Sequence, residues 1–158
     1  MYKNILVAVD DSATSRRALN EAIALSKLHS ARLEIVHAVD ESMVDTLATH
    51  GGALTNVDQF DRALLDNGKS VLATAVATAR AAGLEPAEHL LTSHDLHAAD
   101  QISKAVTSAK ADLLVVGSHG RRGFRRLLLG SVAEDLMRKV EISVLVVRGH
   151  LPEDTSDD

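Results

Sequence analysis

Four short, largely apolar runs and a fifth, weaker strand candidate, separated by longer stretches with helical spacing, limit what this chain can fold into more than any other feature. They are Ile5 to Val9, Leu33 to Val39, Glu85 to Leu91, Leu113 to Val116 and Ser143 to Val147. Apolar runs of that length read as strands; Glu85 to Leu91 is a weaker strand, and His89 faces oppositely to Leu90 if it is one. After the first run, Ala18, Ala22, Leu25 and Leu28 recur at helical spacing, and Ser12 to Ser15 offers N-cap candidates. An Ala-rich helix is expected from Val57 to Ala82, with Gly83 as its stop signal. Further helices are expected from Leu96 to Ala109, capped by Ser93 or Asp95, and from Ser131 to Val140. Residues 40 to 56 have weak periodicity and contain Gly51-Gly52, which reads as a mobile loop or a short helix.

Strands alternating with helices imply right-handed crossovers and a parallel sheet covered on both faces, an α/β fold. Ile5 to Val9 and Leu113 to Val116 are the most uniformly apolar runs and belong at its centre. Ligands bind such sheets at the carboxyl ends of the strands, where the strand order reverses. Asp10, Asp11 and Ser12 end the first strand, and Gly117 to Gly120 ends the fourth. If those strands are neighbours, the two segments face each other across one crevice.

Composition narrows the partners. A length of 158 residues suits one domain, and neither a repeat nor a linker divides residues 1 to 150. Leu151 to Asp158 is an acidic tail expected to be disordered. Aromatic residues make up 2% of the chain, which argues against readers of nucleic acid that stack bases on Phe, Tyr or Trp. A formal net charge of −5 argues against attraction to DNA or an anionic membrane. The absence of cysteine excludes disulfides, thiolate metal sites and cysteine nucleophiles, and fits a reducing cytosol. The first apolar run is too short for a signal peptide and meets Asp10 and Asp11 at once; no apolar stretch approaches the ~20 residues that span a bilayer. A soluble cytoplasmic protein is expected.

The chemistry concentrates after the fourth strand. Gly117-Ser118-His119-Gly120 is followed, nine residues later, by Gly130-Ser131 at the start of a helix. Glycines there expose backbone N–H groups that suit phosphate. Arg121, Arg122, Arg125 and Arg126 lie between, and arginine's planar fork suits phosphate oxygens; two of the four are assigned to a solvated face. A loop that merely needs glycine's backbone freedom is the other reading of the segment. Neither G-x-x-x-x-G-K-[ST] nor G-x-G-x-x-G after the first strand is present, so a Walker loop and a dinucleotide site are unsupported.

The spacing G-x2-G-x9-G-[ST], met by Gly117, Gly120, Gly130 and Ser131, resembles the signature of ATP-binding universal stress proteins. Tyr2 to Ser12 resembles that family's opening strand with its D-x-S ending, Leu33 to Glu41 its second strand, and Val144 to Val147 its closing strand. The likeness spans roughly residues 2 to 148. It implies a Rossmann-like, adenine nucleotide alpha hydrolase-like sheet of five parallel strands in the order 3-2-1-4-5. It implies that Asp10 and the backbone around Ala38 hold adenine and ribose, and that Val116, Gly117 and Gly120 line ribose and phosphates. Gly130, Ser131 and Val132 would hold phosphates at the helix N-terminus, with Arg121 as a further contact. The position of Ala8 in the adenine pocket is often bulkier or a proline in the family, which implies a looser pocket here. Many members also carry a proline where this chain has Ile142-Ser143. The resemblance further implies ATP, with Mg²⁺, as the ligand and a homodimer through the edge strand Ser143 to Val147.

Other candidates stay open. Asp10 can accept from ribose or adenine, or cap a helix. Ser12 is assigned to capping. His119 can touch phosphate or fix its loop. His94 and His97, three apart beside Asp95 and Asp100, can form a metal face or a solvated helix end, and the second is favoured. His37 is expected to be half-buried. No nucleophile–base pair is visible, and adjacency of Ser118 and His119 does not make one. The functional expectation is a regulatory module that holds ATP, signals its nucleotide state to a protein partner and has no catalytic residues. The alternative is a slow ATPase with Asp11 positioning water. Adenylate-forming chemistry of the PP-loop type is disfavoured, since S-G-G-x-D-S is absent after the first strand.

Overall fold

The apolar runs pair into one sheet in which every ladder is parallel. The computed structural model describes residues 1–40, 57–119 and 129–149. The expected loop from residue 41 onward, the acidic tail, Gly120, Arg121, Arg122, Arg125 and Arg126 lie outside the described residues. The elements run β1 (Asn4–Ala8), α1 (Ala13–His29), β2 (Arg32–Asp40), α2 (Val57–Ala81), β3 (Ala87–Ser93), α3 (Ala98–Ser108), β4 (Leu113–Gly117), α4 (Ser131–Lys139) and β5 (Ser143–Val147). The strand order is β3-β2-β1-β4-β5, the expected 3-2-1-4-5.

Alternation along the strands sorts the core into two layers. Ile5, Val7, Ile35, Leu113 and Val115 face α1 and α2, where Leu19, Ala22, Leu72, Val76 and Ala79 cover them. Leu6, Val36, Leu114 and Val116 face α3 and α4 and meet Ile102, Val106, Ala133 and Leu136. Central β1 and β4 are thus apolar on both faces, which is why their runs are unbroken.

Boundaries differ from expectation where hydrogen bonds decide them. β1 ends at Ala8, although Val9 N–H still donates to Val36 C=O at 2.9 Å. β3 is displaced to Ala87–Ser93 by its register against β2. Gly83 stops α2 with φ +86°, as anticipated. The expected caps of α3 do not form. The helix begins at Ala98 behind His97, and the Ser93 hydroxyl instead accepts from the Asp95 and Leu96 N–H groups in the preceding turn. Ser12 caps α1 by accepting from Ser15 N–H at 3.1 Å.

The first turn of α1 lies directly against the end of β4. A Cβ on Gly117 would meet the Thr14 carbonyl carbon at 3.1 Å and Ser15 N at 3.2 Å. Both are backbone atoms of a helix that cannot swing aside alone. Gly117→Ala is therefore expected to destabilise the protein by about 1–3 kcal/mol, the usual range for overpacking. Urea denaturation checks this, and an unchanged midpoint would contradict the close approach.

Candidate functional site

The carboxyl edge of the sheet gathers the segments expected to face one another. β1 pairs directly with β4, and the Thr14 hydroxyl donates to the His119 carbonyl across their ends. Asp10 N–H donates to Ser15 Oγ at 2.8 Å, while its Oδ1 accepts from Ser12 N–H at 2.7 Å. That is an Asx turn, so Asp10 shapes the loop and Ser12 performs the capping. Asp10 Oδ2 has no hydrogen-bond partner among the described residues.

Past β4, Ser118 knits three elements together. Its N–H donates to Val147 C=O at 2.8 Å, and its C=O accepts from Gly130 N–H at 2.7 Å. The second bond pins the start of α4 over the end of β4. Gly130 is the N-cap residue, with φ −62° and no side-chain cap. Its own N–H is already taken, so the donors left open at this terminus, among the described residues, are those of Ser131, Val132 and Ala133. Ser118 Oγ lies 2.8 Å from His119 Nδ1, and His119 Nε2 is buried without a hydrogen-bond partner among the described residues. His119 is thus held through both its main chain and its ring.

Ala8, Ala38 and Val116 all belong to the α3–α4 face of the sheet. Val116 is only 4% exposed, so its backbone rather than its side chain can meet a ligand. The structure therefore brings Ala8, Asp10, Ala38, Val116, Gly117, His119, Gly130, Ser131 and Val132 to one edge. Among the described residues, no group of three His, Cys, Asp or Glu side chains could hold a metal. His97 Nδ1 instead lies 3.8 Å from Asp40 Oδ2. Nearby, a hydrogen bond from Lys139 holds the Asp100 carboxyl below its usual range and ties α3 to α4.

Three features escaped the sequence. A groove of about 360 Å³ between α1 and α2, floored by Val9, Leu19, Val71 and Ala75, meets this edge at Asp10 and Asp11 from the opposite face. It arises from the packing of two helices distant in sequence. Gln101 is buried, and its Nε2 donates to the Val39 and Leu96 carbonyls, both at 3.0 Å. A single glutamine in a helical stretch gave no sign of this. His37, expected to be half-buried, is 6% exposed, with its Nδ1 2.7 Å from the Val9 carbonyl oxygen.

Known proteins share this architecture. The model of the universal stress protein family matches residues 1–148. A Staphylococcus aureus (strain USA300) protein named for the universal stress proteins is 31% identical over 149 residues, covering 93% of this chain and 84% of its own. The structure of hypothetical protein MJ0577 superposes with a TM-score of 0.80 at 24% identity, covering 95% of this chain and 98% of that one. A universal stress protein from Archaeoglobus fulgidus in complex with dAMP gives a TM-score of 0.67 at 28% identity, covering 92% and 98% of the two chains. Another universal stress protein, in complex with cAMP, gives 0.65 at 27% identity, covering 92% and 97%. With the family match over almost its whole length and the strand order and edge geometry described above, this chain belongs to the universal stress protein family.

Proposed function

We propose that this protein binds an adenine nucleotide, ATP in its working state, along the carboxyl ends of β1, β2 and β4, and signals through its nucleotide state. The observation that carries the reading is the open N-terminus of α4, which Gly130 caps without a side chain and which is tied to the end of β4 through Ser118. Unpaired N–H groups and the positive end of the helix favour phosphate there. Asp10 Oδ2, at the end of the neighbouring β1, suits a ribose hydroxyl, and the Ala38 backbone suits the base. Two similar structures hold dAMP and cAMP, which supports an adenine nucleotide. Mg²⁺ would be held chiefly by the phosphates, with Asp10 or Asp11 beside them. Gly120 and Arg121 belong to the proposed phosphate contacts, and cytoplasmic residence and a protein partner complete the proposal.

We assign no catalytic residue. Gly130→Val tests the cradle. A φ of −62° suits any residue, so the substitution places a side chain at the phosphate position without backbone strain. Calorimetry is expected to show ATP binding by the wild type and none by the folded variant. Equal affinities would remove the cradle from the site. Stoichiometric, unhydrolysed ATP on the wild type is expected in a labelled-nucleotide assay, whereas steady release of ADP would establish the slow ATPase instead.

The reading includes a homodimer through β5. Val147 C=O bonds inward to Ser118, so alternation turns the backbone groups of Val144 and Val146 outward at the sheet edge. That edge is a pairing surface. Val144→Pro removes one outward N–H without touching the internal ladder. Light scattering is expected to show a dimer for the wild type and a monomer for the variant; a variant that stays dimeric would move the interface elsewhere.

A further inference from the structure

The ladder between β1 and β2 breaks one step before its apolar pattern does. In a parallel pair, every second residue of a strand bonds to the two residues flanking its partner, and on β2 Val36 and Ala38 are the ones that face β1. Ala8 partners Val36, and Val9 N–H donates to Val36 C=O. The next bond of the ladder would run from Ala38 N–H to Val9 C=O. Val9 C=O is instead engaged by His37 Nδ1 at 2.7 Å. A carbonyl only accepts, so Nδ1 carries the proton and is the donor. Ala38 N–H finds no acceptor among the described residues. Its N–H and C=O both point to the side that β1 has vacated, next to Asp10.

A second feature shows that room is kept for this arrangement. The His37 ring packs beneath Gly68 in the interior of α2, where a Cβ would meet His37 Cδ2, Leu90 Cδ1 and Val39 Cγ2, each at 3.0 Å. Glycine weakens a helix interior relative to alanine. Here it leaves space for the imidazole.

We propose that His37 is a positioning residue for base recognition: by donating to Val9 C=O it draws that carbonyl out of line with Ala38 N–H, and so leaves that N–H, with the C=O of the same residue, to face adenine. Adenine offers a matched pair in return. N1 accepts from the Ala38 N–H, and the 6-amino group donates to the Ala38 C=O. The proposal deepens the adenine-nucleotide reading and rests on it. His37 touches no ligand and acts through the backbone alone.

Two variants and two ligands test it on the full-length protein. His37→Leu keeps apolar bulk under Gly68 and removes the donor, and His37→Asn returns an N–H close to the Nδ1 position. AMP is compared by calorimetry with purine riboside 5′-monophosphate, which lacks the 6-amino group. Amide exchange at Ala38 is read by NMR without nucleotide. The wild type is expected to show fast exchange at Ala38 and to prefer AMP. His37→Leu is expected to slow that exchange as the ladder bond to Val9 forms, to weaken AMP about tenfold, as loss of a hydrogen bond requires, and to lose the preference. His37→Asn is expected to restore both properties. Slow exchange at Ala38 in the free wild type, or an unaltered AMP preference in His37→Leu, overturns this inference while the nucleotide reading stands. Failure of the wild type to bind AMP or ATP overturns the nucleotide reading and this inference with it.

Discussion

Parallel pairing of β1 with β4 is the contact on which the rest of the molecule depends. It is where the strand order reverses. Right-handed crossovers then send the helix after β1 to one face and the helix after β4 to the other. α1 and α4 therefore leave the same edge in opposite directions, and their N-termini part above it. The pairing is held at both ends. At the amino end, the Asp112 carboxylate accepts from the Lys3 and Asn4 N–H groups at 2.8 and 3.0 Å. At the carboxyl end, Thr14 donates to His119 C=O.

The edge that results is made largely of main chain. Gly117 allows α1 to approach β4, Gly130 opens α4, and Gly68 makes room for the His37 ring, so three glycines serve three distinct ends. Most backbone groups nearby are engaged: Ser118 N–H with Val147, Ser118 C=O with Gly130, and Val9 C=O with His37. Among the described residues, those left over include the first N–H groups of α4 and the Ala38 N–H. Buried or half-buried donors without partners are costly, so a ligand with complementary acceptors gains from meeting them.

Much of this was legible in the residues. The five strands, the two central ones, the Ser12 cap and the Gly83 stop each rest on local pattern, and local pattern survived folding. The glycine spacing pointed to the carboxyl edge of the sheet, where Gly117 and Gly130 lie. What failed was decided at longer range. Asp95 and Ser93 look like caps, but the Ser93 hydroxyl closes the turn from β3 before α3 begins. The Gly130 N–H is taken by the carbonyl of Ser118, just past β4, a bond that the glycine spacing does not show. His37 sits in an apolar strand with nothing to show that its ring reaches a neighbouring strand's carbonyl.

By itself the sequence determined the alternation of strands and helices, which residues are apolar on both faces, and where glycines free the backbone. These follow from side-chain periodicity and from the steric freedom of single residues. Only the tertiary structure decided which backbone donors remain open, because each depends on acceptors far away in the chain: Ser118 for Gly130, and the Val9–His37 bond for Ala38. An N–H has a single hydrogen to donate, so its availability is a property of the assembled edge and not of the residue that carries it.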